Sequence, residues 1–145
     1  MPTMPGPDPI DPATGLPVVY PFKPEWEFTP RQTQAALKST NAPLLLDCRR
    51  PEEWAFNKIS GATHIPMNEI EKRADELETE DGSRSQPIVV YCHHGRRSLM
   101  VTTQLRAMGF SNVKSMAGGI DLWSIDIDSS IPWAKYGWSD ARSQR

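Results

Sequence analysis

A chain of 145 residues makes one domain with little to spare. With 16 Lys and Arg against 18 Asp and Glu, its net charge of −2 excludes a general nucleic-acid binder, which carries a strong basic excess. Counting the nine glycines and leaving out the three tyrosines turns the 38% apolar share into about 42%, enough for a modest core, and no run approaches the roughly 18 apolar residues of a membrane span.

Nine of the 14 prolines fall in residues 1–30. Residues 1–15 therefore read as a Pro-rich flexible arm. This stretch has no basic or apolar block of a secretory signal, so a reducing cytoplasm is the expected compartment. Two cysteines are too few for a disulfide scaffold. Residues 16–28 carry Val18, Val19, Tyr20, Phe22 and Trp26, too apolar to leave in water, and are expected to pack in extended form on the domain.

Regular signals begin at Thr29. Thr29-Pro30-Arg31-Gln32 supplies a cap, a proline at the first helical position and a capping-box partner, so a helix is expected to about Lys38. Leu44 to Cys48 is a short apolar run, the mark of a strand buried on both faces. Pro51 opens a short helix to about Lys58, and Thr63 to Pro66 reads as a strand in which His64 is structural. Asn68, with Glu71 three residues on, predicts a second capped helix to about Glu78. Pro87 to Tyr91 is another buried strand, and a helix from about Ser98 to Met108 stops at Gly109 in a left-handed cap. Val113 to Met116 is a last strand, followed by Gly118-Gly119 and a short helix. Such alternation predicts an α/β domain over 29–125 with a mostly parallel sheet, and a C-terminal extension over 126–145.

Cys92-His93-His94-Gly95-Arg96-Arg97-Ser98 lies between a buried strand and a helix start, where open parallel sheets bind ligands. Gly95 lets the chain curl so that successive amides form an anion nest, and the helix dipole and two arginines add positive charge. That field favours a thiolate: a free cysteine has a pKa of about 8.5, whereas values of about 3.5–7.5 occur at helix N-termini beside cations. Cys92 is the candidate nucleophile. Gly95, Arg96 and Arg97 are candidate substrate-binding residues, with His93 and His94 as rim residues that contact substrate or add partial positive charge. Contiguous Cys-His-His does not converge on one ion, so no metal or other cofactor is expected.

With these residues the sequence resembles a single-domain rhodanese over roughly 26–125. Leu45 to Trp54, Ile59 to Pro66, Cys92 to Ser98 and Met116 to Trp123 resemble the family's four blocks in their order. The resemblance implies a rhodanese-like α/β fold, a five-stranded sheet flanked by helices on both faces. It implies sulfane-sulfur transfer through a persulfide on Cys92, from a small anionic donor such as thiosulfate to cyanide, a thiol or a protein, with no nucleic acid or membrane as partner. It also implies that Asp47, Arg49 and Glu53 orient loops by charge pairing and take no part in the chemistry.

Cys48 departs from the family, which usually has an apolar residue there. A buried core thiol and a resolving thiol beside Cys92 are the two readings. Two other functions compete with sulfur transfer. A phosphatase of related fold would use Cys-x5-Arg, but Cys92 to Arg97 is Cys-x4-Arg and its loop has no Asp to serve as acid. A non-catalytic rhodanese-like interaction module would generally lack the cysteine.

Overall fold

The computed structural model describes residues 9–132. Five strands form one all-parallel sheet in the order β1-β5-β4-β2-β3. They are β1 (Glu27–Phe28), β2 (Leu44–Asp47), β3 (Thr63–His64), β4 (Ile88–Tyr91) and β5 (Val113–Met116). Five helices join them: α1 (Pro30–Leu37), α2 (Pro51–Phe56), α3 (Ile70–Arg73), α4 (Arg96–Ala107) and α5 (Gly119–Asp126).

The strands of a parallel sheet are buried on both faces, and alternate residues supply the two cores. Leu46, Ile88, Val90 and Val113 face α4 and the turn around Ile70, Ala74 and Leu77. Leu45, Val89, Tyr91 and Met116 face α5, through Ile120 and Trp123. Helices thus cover both faces of the α/β sheet, and its central strand, β4, is buried throughout.

Local chemistry sets most element ends. The Thr29 capping box is complete: its hydroxyl accepts from the Gln32 amide at 3.0 Å, and its own amide donates to Gln32 Oε1 at 2.8 Å. Gly109, at φ +99°, closes α4. There the Phe110 amide donates back to Leu105 O at 3.1 Å, and Phe110 is buried beside Leu105. That is the Schellman closure with its apolar contact.

Three expectations change. Asn68 caps nothing. Residues 67–77 run as a 3-10 turn, the single α turn α3 and a second 3-10 turn, because Ile70, Ala74 and Leu77 are anchored in the core without side-chain caps. α4 begins at Arg96, two residues before the expected start, so both arginines belong to its first turn. Residues 16–28 follow the domain as a chain of turns ending in β1, and Val18 and Val19 stay 65% and 71% exposed.

The N-terminal arm divides. Residues 1–8 lie outside the described residues, as do 133–145 of the C-terminal extension. Residues 9–15 already form a turn, because the Asp11 amide donates to Leu16 O and the Val18 amide to Pro9 O, both at 2.8 Å. Arg31 ties this turn to the domain, bonding Pro12 O at 2.8 Å and Asp126 Oδ2 at 2.9 Å. Leu16 is buried against Ala117 and Leu122.

Truncating Leu16 should expose how firmly this segment is held. Leu16→Ala is expected to lower stability by about 2–3 kcal/mol, as core Leu→Ala changes do. A denaturant midpoint equal to that of wild type would show that the segment merely rests on the domain.

Candidate active site

Cys92 follows β4 directly, at the carboxyl end of the central strand, and its side chain is buried. A buried sulfur anion needs protein donors in place of water. The loop supplies them. The Gly95 amide lies 3.1 Å from Sγ, the Ser98 amide 3.3 Å and the Ser98 hydroxyl 3.4 Å. When Sγ is ionised the hydroxyl donates to it, and Ser115 Oγ, 2.8 Å from Ser98 Oγ, donates in turn. The Cys48 thiol, just after β2, lies in the same core cluster and favours the ionised sulfur as well.

Burial pushes the Cys92 thiol up. The bonds from Cys48, from the Ser98 hydroxyl and from the Ser98 and Gly95 amides outweigh it, bringing the pKa down to about 6. The same contact acts in the opposite sense on Cys48. Its bond to Cys92, and then its burial, hold its thiol well above the ordinary range.

A loop whose amides turn inward has to turn its carbonyls outward, and those carbonyls need partners. The first turn of α5 provides them. The Ile120 amide donates to Cys92 O at 2.8 Å and the Asp121 amide to His93 O at 3.2 Å. This contact explains the glycine at 119. A Cβ there would overlap the carbonyl oxygens of both Cys92 and His93, and the residue sits at φ +62°. Gly95, at φ +107°, meets the same limit from the other side: a Cβ would stand 3.0 Å from the Tyr20 hydroxyl and 3.1 Å from the Gly118 amide.

A cavity of 240 Å³ opens over the loop, lined by Cys92, His93, His94, Arg50, Arg96 and Arg97. The candidate residues therefore share one cavity, apart from Gly95, which bonds the sulfur from beneath. Their charges differ from expectation. The Arg97 guanidinium is committed to Glu53, with contacts of 2.7 and 2.9 Å to its two oxygens. Burial pushes the Glu53 carboxyl up, but Arg97 and the Arg50 amide bring it down to about 2. Arg96 is exposed and makes no ion pair among the described residues. Burial holds the His93 ring at a pKa of about 4, so it is neutral at pH 7 and adds no positive charge. It stacks on His94 with centroids 4.2 Å apart.

Among the described residues no group of three His, Cys, Asp or Glu is placed to hold a metal ion, and no helix is long and apolar enough to cross a membrane.

Residues 29–126 match the family model described as the rhodanese-like domain. The chain belongs to the rhodanese-like domain family. It is 35% identical over 101 residues to the thiosulfate sulfurtransferase GlpE of Pseudomonas fluorescens, covering 68% of this chain and 85% of that protein. It is 27% identical over 115 residues to the adenylyltransferase and sulfurtransferase UBA4 of Candida albicans, covering 77% of this chain and 26% of that protein. The chain thus spans about a quarter of that relative's length. Among solved structures it resembles the human single domain sulfurtransferase TSTD1, with a TM-score of 0.58 and 26% identity over 67% of this chain and 93% of that one.

Within the rhodanese-like domain, Asp47 and Arg49 form a buried pair where β2 meets α2, 2.7 Å apart at closest. Arg49 also bonds Asn57 Oδ1 at 2.8 Å and Asn57 O at 2.6 Å, clamping the far end of α2. α2 carries Glu53, so the clamp sets where Glu53 meets Arg97. His64 Nε2 lies 2.7 Å from Arg49 O, and its ring stacks on Trp54 at 4.8 Å, which gives it a structural place.

Two contributors are missed by the sequence signals alone. The pattern marks Ser98 as the start of a helix, although a serine at the first turn beside a nucleophile is a ready donor. Tyr20 lies outside the matched domain yet reaches the back of the loop. Its hydroxyl donates to buried Glu27 at 2.6 Å and accepts from the Gly118 amide, and its own burial raises its pKa.

Alkylation of Cys92 should follow its ionisation. The thiolate is the reactive form, so the rate should rise as pH climbs through about 6 and level off above it. Ser98→Ala and Cys48→Val each remove a donor and should move that midpoint upward. A midpoint fixed in both variants would assign the low pKa to the amides alone. Gly119→Ala should displace the loop, slow alkylation at neutral pH and lower the melting temperature; unchanged values for both would contradict the close packing of α5 on the loop.

Proposed function

We propose that this chain is a sulfurtransferase that carries sulfane sulfur on Cys92, taking it from a small anion such as thiosulfate and giving it to cyanide, a thiol or a partner protein. The observation behind this reading is the Cys92 sulfur itself: half-ionised near pH 6, ringed by donors and facing a small cavity lined by three arginines, Glu53 and two histidines. The relatives named thiosulfate sulfurtransferase support the same substrate class.

In the first half-reaction the thiolate attacks the outer sulfur of thiosulfate. A bond forms between Cys92 Sγ and that sulfur, the S–S bond of thiosulfate breaks, and sulfite leaves with the bonding pair. Cys92 is left as a persulfide anion. In the second, an acceptor nucleophile attacks the outer sulfur and Cys92 departs as thiolate. Two half-reactions through one covalent intermediate give ping-pong kinetics. Both cysteines are free, and this chemistry suits a reducing compartment, the cytoplasm in our reading.

The arginines take different parts. Arg96, exposed at the cavity, attracts the anionic donor, and an exposed charge of this kind is worth about 1 kcal/mol at most. Arg97 keeps the Glu53 carboxylate neutralised beside the sulfur. Losing Arg97 leaves a buried carboxylate next to a thiolate with only Arg50 beside it, at 3.6 Å, which costs more than losing an attractive surface charge.

Cys92→Ser should abolish thiocyanate formation from thiosulfate and cyanide while the fold survives. Intact mass after thiosulfate should show one added sulfur on wild type and none on the variant. Substantial thiocyanate from Cys92→Ser would overturn the reading.

Arg96→Ala should weaken apparent thiosulfate affinity several-fold, and the difference should shrink at 1 M salt, where the Debye length is about 3 Å. Arg97→Ala should do more, raising the Cys92 alkylation midpoint and lowering the melting temperature. Equal effects of the two substitutions would contradict the division of roles.

A further inference from the structure

Cys48 is the departure that the sulfur-transfer reading does not absorb. The β2–β4 register runs from Leu44↔Ile88 to Asp47↔Tyr91, and the Cys48 amide donates to Tyr91 O at 3.1 Å one residue beyond it. Cys48 and Cys92 are therefore the next neighbours across the two strands, and both belong to one core cluster. Adjacent strands lie about 4.7–4.9 Å apart, inside the roughly 4.4–6.8 Å between Cα atoms that a disulfide spans. Their side chains enter that cluster from adjacent strands, and the proximity of Cys48 helps to lower the Cys92 thiol. Cys48 also lines a second cavity, of 630 Å³, which shares Arg50 and Arg97 with the first and is bounded by Pro66, Met67 and Gln104.

We propose that Cys48 is a resolving thiol that discharges the Cys92 persulfide as sulfide, closing a Cys48–Cys92 disulfide. This rests on the sulfurtransferase reading for the origin of the persulfide in the cell. Cys48 Sγ attacks Cys92 Sγ, the inner sulfur of the persulfide. The bond between the two cysteine sulfurs forms, and the bond from Cys92 Sγ to the outer sulfur breaks. The outer sulfur leaves with the bonding pair and takes the Cys48 proton, departing as hydrosulfide. The sulfane sulfur is reduced, the two cysteine sulfurs are oxidised to the disulfide level, and no outside oxidant enters. A low-molecular-weight dithiol then reduces the disulfide and restores both thiols.

Attack on the inner sulfur requires little motion, since the strand register sets Cys48 beside that atom. The contact also times the step. While Cys92 is a thiolate, its charge keeps the Cys48 proton in place and Cys48 is inert. Once sulfur is loaded, the negative charge moves to the outer sulfur in the cavity. The inner sulfur becomes a neutral electrophile, and the restraint on Cys48 is relieved. A prompt acceptor takes the sulfur before this happens; without one, the site empties itself. The second cavity brings Cys48 to a wall where a small reductant is accommodated.

The test loads the protein with inorganic polysulfide, which places sulfur on a reactive thiolate whatever donor the protein uses in the cell. With acceptor absent, intact mass and released sulfide are followed over time. Wild type is expected to lose the added sulfur as sulfide and finish two hydrogens lighter than the reduced chain, with the bridge mapped to Cys48 and Cys92. Cys48→Val and Cys48→Ala should retain the added sulfur on Cys92 at least about ten-fold longer. Val fills the core volume on a strand and Ala leaves a gap, so agreement between them excludes a packing artefact. Equal persulfide lifetimes in all three proteins, with no bridge formed, overturn the proposal. A parallel treatment of wild type with thiosulfate separates the two readings: no stoichiometric sulfite released there overturns the thiosulfate reaction and leaves the polysulfide result to decide the role of Cys48.

Discussion

A sulfur anion on a residue only 1% exposed, at the end of a parallel sheet, has to be solvated largely by the protein. Much of the structure around residues 92–98 follows from that demand. The chain must curl so that the Gly95 and Ser98 amides converge on one atom. Curling turns the Cys92 and His93 carbonyls the other way, where they would be orphaned without the α5 amides of Ile120 and Asp121. α5 can approach that closely only with glycine at 119. The thiolate, the loop and the start of α5 thus form one unit of backbone hydrogen bonding, and β4 and β5 hold its two ends in register.

The charges near the sulfur are arranged as much for restraint as for attraction. Arg49 is neutralised by Asp47, and Arg97 by Glu53, so two of the nearest cations are committed to carboxylates before any ligand arrives. Arg50 too is shared between Glu52 and Glu53, at 3.4 and 3.6 Å, so the attraction at the cavity falls chiefly to amides, the α4 dipole and exposed Arg96. Amide donors in a small concave site favour a compact anion. A chain of net charge −2 can in this way present a locally attractive site without a strongly basic surface.

The sheet and the position of the nucleophile were legible in the sequence because they rest on strong local signals. Apolar runs at Leu44 to Asp47 and Ile88 to Tyr91, the Thr29 box and Gly109 each carry their own chemistry. Where the reading differed, long-range packing had overridden a local cue. Asn68 followed by Glu71 looks like a capped helix start, but the anchoring of Ile70, Ala74 and Leu77 in the core broke that segment into single turns. β1 is two residues of Glu27–Phe28, too short for any periodicity, and exists through the Ser115 and Ala117 amides that bond Trp26 and Phe28. The pairing of Arg97 with Glu53 spans 44 residues and could only come from the fold. The neutral state of His93 likewise follows from burial that no spacing reveals.

The segment before residue 29 lies outside the rhodanese-like match and still bears on the site. Arg106 lies over the Trp26 ring at 4.1 Å, and Lys114 bonds the Pro24 and Glu25 carbonyls at 3.0 Å, so the backbone approaching β1 is fixed. That fixes Glu27, a buried carboxylate, which holds the Tyr20 hydroxyl against Gly95 and Gly118. Gly95 is the residue whose amide points at the sulfur. The curl of the loop is therefore bounded on one side by α5 and on the other by a side chain the N-terminal segment supplies. Cys48, just after β2, completes the enclosure with a thiol, a group that can itself ionise. An apolar side chain at that position would pack equally well and donate nothing. A thiol ties the protonation of the wall to the charge on the nucleophile, so each change on Cys92 is felt at once by a second sulfur.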